Sequence, residues 1–270
     1  MSGSLFTGKD SYDTPDNIPV SLAYRLMLRS RWYFYLYNFG IFLQSGRLGA
    51  KGKLDKDAQI RLSSGNIHLI ERVGGRVHIR GLENMRSLNG GPAVIIANHM
   101  SLLETAMMHA IIREDLDFSF VVKESLLHIP YFKHILTSMN AIPVSRTNPR
   151  EDLKTVLAEG KKALLSGRSM IVFPQSTRLD YFDPEQFNSI GVKLAKSANV
   201  PILPLALKTD FISIGKVVRD MGPIHPEKDV WFEFGKPLTV EGNGQEQHRQ
   251  VIDFISSRFA AWKENESRNQ

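Results

Sequence analysis

The chain is 270 residues long, enough for one large α/β domain or two small ones, and its 42% apolar and 23% charged residues exclude collagen-like, low-complexity and disordered classes. Thirty-four Lys and Arg against 28 Asp and Glu leave a net charge of +6, which points to an anionic partner without naming it. With no Cys, disulfide frameworks, thiolate metal sites and a Cys nucleophile drop out, and the eight His residues show no ligand spacing, so no metal site is expected.

The positive charge is concentrated near the start. No acid occurs between Asn17 and Leu54, while Arg25, Arg29, Arg31, Arg47, Lys51 and Lys53 supply as much charge as the whole chain carries net. Within this stretch runs Trp32-Tyr-Phe-Tyr-Leu-Tyr-Asn-Phe-Gly-Ile-Phe-Leu43. It is too short to span a bilayer core, which takes about 20 residues. Aromatics preceded by three arginines suit a segment with one side in apolar surroundings and the other among headgroups. Residues 1–55 therefore read as a basic aromatic segment that anchors the protein at a membrane interface; the plainer alternative is an aromatic helix packed on the core. A secretory signal fits poorly, because Asp10, Asp13 and Asp16 precede the run and no small-residue cleavage site follows it. Nucleic-acid binding is not expected, since the rest of the chain is nearly neutral and carries no reading motif.

From residue 75 onward strand-like and helix-like segments alternate, with no repeat and no long linker. Strands are expected at 76–80, 92–97, 118–122, 141–144, 169–173, 200–207 and 230–234, several of them as continuous apolar runs of the buried, parallel kind. Helices are expected at 101–112, 130–139, 187–197 and 251–262. Another lies between Asn148, a suitable cap followed by Pro149 and the acids Glu151 and Asp152, and Gly167 at its end. Residues 1–16 and 263–270 read as frayed. The expected fold class is α/β: a single layered domain over 56–270 with a mostly parallel mixed sheet flanked by helices, its motif-bearing core at about 76–210, preceded by the N-terminal interfacial helical segment.

Several familiar catalytic signatures are missing, among them the G-x-S-x-G elbow, the Walker loop, G-x-G-x-x-G after a strand, and H-E-x-x-H. What remains sits at strand ends. Asn98 and His99 follow directly on the apolar run 92–97, and Glu104 lies five residues beyond His99. On one continuous helix the two would point about 140° apart, so they can meet only if His99 occupies the turn before the helix. Ser101-Leu-Leu-Glu104 matches a capping box that would start the helix there and bring the glutamate back over its first turn. Glu104 could then hold one imidazole nitrogen and leave the other to take a proton from a substrate hydroxyl, an effect worth roughly 10²- to 10⁴-fold in rate. The plain alternative makes Glu104 only a capping residue and His99 a turn residue.

Four blocks in order, Asn98-His99-Met-Ser-Leu-Leu-Glu104, then Lys123-Glu-Ser-Leu through Ile129-Pro-Tyr-Phe to Ala141-Ile-Pro-Val-Ser-Arg146, then Phe173-Pro-Gln-Ser-Thr-Arg178, then Val200-Pro-Ile-Leu-Pro204, resemble the four motifs of the PlsC-type glycerolipid acyltransferases. The resemblance implies that His99 is the general base that deprotonates an acceptor hydroxyl, that Glu104 orients it, and that the hydroxyl attacks an acyl thioester directly. It also places the family's proline-rich turn and second-block basic residue on Pro130 and Arg146, and its phosphate-gripping arginine on Arg178.

Two positions depart from the family pattern. Glu104 replaces the usual Asp, one methylene longer but still able to accept from an imidazole N–H; the related lipid A acyltransferases resemble this chain in allowing Glu there. Gln175 and Ser176 replace Glu and Gly in the third block, so hydrogen bonding to an acceptor survives while the electrostatics change. Gln175, Ser176, Thr177 and Arg178, with Arg146 and Lys123, form the expected substrate-binding set; arginine suits a phosphate because its planar fork binds two oxygens. The expected function is transfer of an acyl chain from acyl-CoA or acyl-carrier protein to a lysophospholipid, 1-acylglycerol 3-phosphate first among them. No cofactor beyond the thioester co-substrate is expected, and the location is an anionic membrane surface, monotopic and on the cytoplasmic face. Another hydroxylated lipid, such as an acylated amino-acid lipid, and a catalytically weak lipid-binding protein of the same fold are the alternatives.

Overall fold

The computed structural model describes residues 5–175, 177–216 and 218–268, and within them the alternation of elements condenses into one mixed sheet with helices on both faces. A short strand β1 (Tyr12–Asp13) precedes three helices, α1 (Leu22–Leu26), α2 (Arg31–Ala50) and α3 (Lys56–Arg72). Then come β2 (Val77–Arg80), α4 (Leu82–Arg86), β3 (Val94–Ala97), α5 (Leu103–Ile112), β4 (Phe118–Lys123), α6 (Phe132–Ser138) and β5 (Ile142–Val144). The chain continues through α7 (Pro149–Leu165), β6 (Ser169–Val172), α8 (Ile190–Ala198), β7 (Ile202–Lys208), β8 (Val230–Phe234) and α9 (Gln245–Arg268).

The strands are ordered β1-β2-β8-β7-β3-β6-β4-β5. From β7 to β5 all neighbours are parallel, β8 runs antiparallel to β7, β2 is parallel to β8, and β1 closes the edge antiparallel to β2. Strand β3 lies between β6 and β7 and is buried on both sides, which is why its sequence is apolar without alternation. Ile95 and Ala97 face a core shared with α2, α3 and α5, while Val94 and Ile96 face the core built by α7, α8 and α9. After β3 the chain crosses to β4 on one side, and after β6 it returns to β7 on the other. The connections part at the carboxyl end of β3, where open parallel sheets form their crevice.

Helix α3 was not anticipated. Its polar residues Gln59, Ser63 and Asn66 are buried, and this hides the amphipathic pattern. Ser63 donates to Ala106 O at 2.6 Å and accepts from Ala110 N at 2.9 Å, and Asn66 donates to Ala106 O at 3.2 Å, so the polar stripe docks on α5 by hydrogen bonds. Both ends expected to fray are tied down over their described residues. Phe6 is buried, Tyr12 donates to the buried Glu71 at 2.5 Å, and α9, which begins at Gln245, carries Glu266 back to Lys208 at 2.5 Å.

The aromatic run lies in α2 and faces two ways. Tyr33, Phe34 and Tyr35 are buried in the same core as the sheet, Phe34 packing on Phe211 with ring centroids 5.6 Å apart, so residue 55 marks no break in packing. Trp32, Leu36 and Phe39 are exposed, as are Leu22, Leu26 and Leu28 in and just beyond α1. Among the described residues no helix is long and apolar enough to cross a membrane. Helix α2 also approaches α6 very closely: a Cβ at Gly46 would fall 2.3 Å from that of Tyr131, so this position needs glycine.

His109 on α5 is buried against Phe118 and Phe120, and this burial pushes its pKa down to about 3. The unfolded chain binds that proton from about pH 6.5 downward, so the stability contributed is complete above pH 6.5 and is lost as pH falls towards 3, by up to about 1.4 kcal/mol per pH unit. His109→Leu should remove that component and also the buried, unpartnered Nδ1. Urea unfolding of both proteins between pH 4 and 7 should show the shallower dependence in the variant; identical slopes would contradict this account.

Candidate active site

The site begins where β3 stops. The Asn98 carboxamide donates to Leu207 O at 2.7 Å and accepts from Leu207 N at 2.8 Å, fastening this point to β7. The next residue, His99, turns out of the sheet. Its backbone N–H donates to Gln175 Oε1 at 2.9 Å, its carbonyl accepts from Leu179 N at 3.1 Å, and its ring stacks on Phe173 with centroids 4.3 Å apart. The loop after β6 thus holds the histidine on three counts, while its side chain keeps 19% exposure.

Glu104, on the first turn of α5, has no exposed side chain, and its two oxygens take four hydrogen bonds. Oε1 accepts from Met100 N at 2.7 Å, Ser101 N at 2.8 Å and Thr209 Oγ1 at 2.5 Å, and Oε2 lies 2.5 Å from His99 Nδ1. The capping box is present in a tightened form. Glu104 reaches back to Ser101 N as expected, but the Ser101 hydroxyl accepts from Leu103 N rather than one residue further on. Since Oε1 is occupied by three donors, Nδ1–H donates to Oε2, and this tautomer leaves Nε2 with its lone pair. No described residue bonds Nε2. Such an arrangement has the geometry a general base requires: Nε2 could draw a proton from a hydroxyl placed against it.

Thr209, just beyond β7, is the partner that the sequence did not reveal. Its hydroxyl accepts from Ser101 Oγ at 2.9 Å and donates a hydrogen bond to Glu104 at 2.5 Å. The available signal was its place at the end of another buried apolar strand, directly beside β3.

The third sequence block contributes differently from expectation. Gln175 is buried and its carboxamide faces the His99 backbone rather than solvent; its Nε2 is buried without a partner. A glutamate could accept the same bond, which accounts for the replacement being tolerated. Ser176 lies outside the described residues. Thr177 is exposed and accepts from Arg219 Nη2 at 3.0 Å, and Arg178 is ion-paired with Asp220. Lys123 and Arg146 are exposed at the carboxyl ends of β4 and β5. These strands lie two and three places from β3, about 10 and 14 Å across the sheet. Neither makes a hydrogen bond or ion pair with His99, Glu104, Gln175 or Arg178 among the described residues. Pro130 precedes Tyr131, whose positive φ of 66° starts α6.

Two other features carry residues of chemical interest. Ser213 Oγ lies 2.8 Å from His225 Nε2, and His225 Nδ1 lies 3.1 Å from Glu227, the order of a hydrolytic triad. The N–H groups of Ser213 and Gly215, which could stabilise an oxyanion, are instead spent on Pro223 O and Arg219 O, so the cluster braces the loop between β7 and β8. A groove of about 430 Å³ lined by Arg80, Trp231, Glu233, Arg258 and Trp262 opens at the opposite edge of the sheet. Its arginines are paired with Asp13 and Glu233, and none of the residues around His99 line it.

An acyltransferase family model matches residues 76–208. A 1-acyl-sn-glycerol-3-phosphate acyltransferase of Pseudomonas aeruginosa is 32% identical over 189 residues, covering 70% of this chain and 68% of that protein. The chain belongs to the acyltransferase family. A chloroplast 1-acyl-sn-glycerol-3-phosphate acyltransferase of Arabidopsis thaliana is 27% identical over 132 residues, 49% of this chain and 36% of that one. The crystal structure of the 1-acyl-sn-glycerophosphate acyltransferase PlsC from Thermotoga maritima superposes with a TM-score of 0.62 at 19% identity, over 86% of this chain and 94% of that chain. The acyltransferase fold expected from sequence is the one observed.

Removing the base should stop the reaction without unfolding the acyltransferase. His99→Ala is expected to lower acyl transfer by at least about 10²-fold with an unchanged circular dichroism spectrum. Glu104→Asp should keep part of the activity and Glu104→Gln very little, because a carboxamide that accepts from Nδ1 no longer supplies the charge that stabilises imidazolium. Full turnover by folded His99→Ala would eliminate the general-base role.

Proposed function

We propose that this acyltransferase esterifies the free hydroxyl of a lysophospholipid, 1-acylglycerol 3-phosphate, with the acyl chain of acyl-CoA or acyl-carrier protein. The observation that carries the reading is the His99 Nδ1 to Glu104 contact of 2.5 Å, with Nε2 left without a partner among the described residues. Nε2 takes the acceptor's hydroxyl proton as the oxygen attacks the thioester carbonyl. The tetrahedral intermediate collapses with expulsion of the thiolate, which recovers the proton from Nε2. Glu104 stays ionised and stabilises the transient imidazolium. The proton balance closes on His99 alone, so the step as proposed requires no metal or further cofactor. The relatives' names supply the acceptor, and Gln175, where the family pattern has Glu, still accepts from His99 N.

A membrane surface fits the same end of the molecule. Tyr35 donates to Gly222 O at 2.7 Å and Gly46 packs on Tyr131, so α2 touches the loops that follow β7 and β4, both at the edge where His99 sits. The exposed apolar side of α1 and α2, in a stretch with no acid, would lie on an anionic leaflet beside the mouth of the crevice, a monotopic attachment suited to the cytoplasmic face.

Two measurements test this. Wild-type protein should acylate 1-acylglycerol 3-phosphate in preference to a panel of lysophospholipids, monoacylglycerol and acylated amino-acid lipids; preference for another hydroxylated lipid overturns the acceptor, and no transfer to any overturns the enzyme. The triple substitution Trp32→Ser, Leu36→Ser, Phe39→Ser should release the protein from vesicles containing anionic lipid while leaving its melting temperature unchanged. Phe34→Ser should instead destabilise by roughly 3–5 kcal/mol, as emptying a buried aromatic site does. Equal sedimentation of triple variant and wild type would place the membrane contact elsewhere.

A further inference from the structure

The loop between β7 and β8 brings two charged residues to the acceptor side of the site that neither the sequence blocks nor the comparisons assign. We infer that Arg219 and Asp220 set acceptor specificity: Arg219 supplies a second guanidinium beside Arg178, and Asp220 occupies the place of the acceptor's phosphate until a phosphate displaces it. The inference rests on the function proposed above and deepens it.

The placement is built rather than incidental. A narrow cleft is walled on one side by Met100, Ser101 and Leu102, the residues directly after His99, and on the other by Arg178, Arg219 and Asp220. The backbone bond from Leu179 N to His99 O, 3.1 Å, fixes the arginine's turn to the base itself. Arg219 Nη2 donates to Thr177 Oγ1 and to Arg178 O, both at 3.0 Å, so it lies against the same turn. Among the described residues two of its five N–H donors are used, and three remain for a ligand. The loop is held tightly enough to present these groups. Gly215 N donates to Arg219 O at 3.0 Å, Ser213 N donates to Pro223 O at 3.0 Å, and a Cβ at Gly222 would fall 1.9 Å from Ser213 O. The Tyr35 hydroxyl, kept protonated by a pKa that burial pushes up to about 12, anchors the loop's base to α2.

The charges decide what such a cleft prefers. Two guanidiniums and one carboxylate leave one positive charge in excess. The Arg178–Asp220 pair is partly buried, with 23% and 38% of the side chains exposed, and its more exposed member, Asp220, can turn out into water. A phosphate monoester carries roughly 1.5 to 2 negative charges and three acceptor oxygens, and two arginine forks bind it better than one carboxylate. An uncharged glycerol headgroup has nothing with which to displace Asp220. The carboxylate therefore acts as a threshold: it neutralises Arg178 against weak or uncharged headgroups and yields to a dianion.

The test measures KM and kcat with the full-length protein in mixed micelles, with 1-acylglycerol 3-phosphate and monoacylglycerol as acceptors. Asp220→Asn should lower the KM for the phosphate-bearing acceptor about three- to tenfold and leave kcat, thioester KM and the monoacylglycerol rate within twofold. Arg219→Ala should raise the same KM about tenfold, the loss of one charged hydrogen bond, and Arg219→Lys should recover part of it. Inorganic phosphate should inhibit Asp220→Asn at lower concentration than wild type. If wild type uses 1-acylglycerol 3-phosphate but Asp220→Asn shows an equal or higher KM, with its melting temperature preserved, this assignment falls alone. If wild type acylates only uncharged acceptors, the proposed acceptor and this assignment fall together.

Discussion

A carboxylate without exposed surface must find all its partners inside the protein, and Glu104 meets that demand with two backbone N–H groups, one hydroxyl and one imidazole. Much of the site follows from this requirement. The N–H groups of Met100 and Ser101 can both reach one oxygen only if the chain turns sharply between β3 and α5. Thr209 can reach it only if β7 ends beside β3. His99 takes the remaining oxygen, and in doing so is fixed in ring orientation and tautomer. The geometry of His99 is thus set by the cost of burying a charge, since leaving any one donor out would strand part of a carboxylate in a medium that solvates it poorly.

The parallel sheet makes the arrangement possible by bringing three distant strand ends to one edge. Residues following β3, β6 and β7 form the contacts around His99, although they are separated by more than 70 and 100 positions in sequence. Neighbouring strands lie only about 4.8 Å apart. The helices that cover the two faces leave this edge open, because a parallel connection must return to the start of the next strand and so carries its helix away from the strands' carboxyl ends. The loops at this edge can then vary in length and charge without disturbing the layers beneath.

How much of this was legible depended on whether the cause was local. The strands around the site were readable because buried parallel strands are short, apolar and punctuated. For His99 and Glu104 the five-residue spacing over a strand end permits a meeting but equally a plain cap, and the resemblance of the four blocks decides between the two. Helix α3 was hidden because Gln59, Ser63 and Asn66 satisfy their polar groups on another helix, which no periodicity reports. The aromatic run resisted division because it is apolar all round. Only packing distinguishes buried Phe34 from exposed Phe39. Thr209, Arg219 and Asp220 act across long sequence separations, and a chain without its strand order offers no reason to place them near residue 99. Gln175 was read as facing a ligand, whereas the turn uses its acceptor internally.

Asn98 shows how a strand can be ended without damage to its neighbour. Each residue in a ladder owes the adjoining strand one donor and one acceptor, and the carboxamide of Asn98 delivers both to Leu207 from a side chain. It behaves as a peptide unit detached from the main chain, prolonging the sheet by one rung while the backbone is already free to bend away. Residue 99 therefore escapes the pleat at no cost to β7. An aspartate at position 98 would offer acceptors alone and a leucine neither group, and either would set the integrity of the sheet against the outward turn of the histidine. One amide side chain removes that conflict.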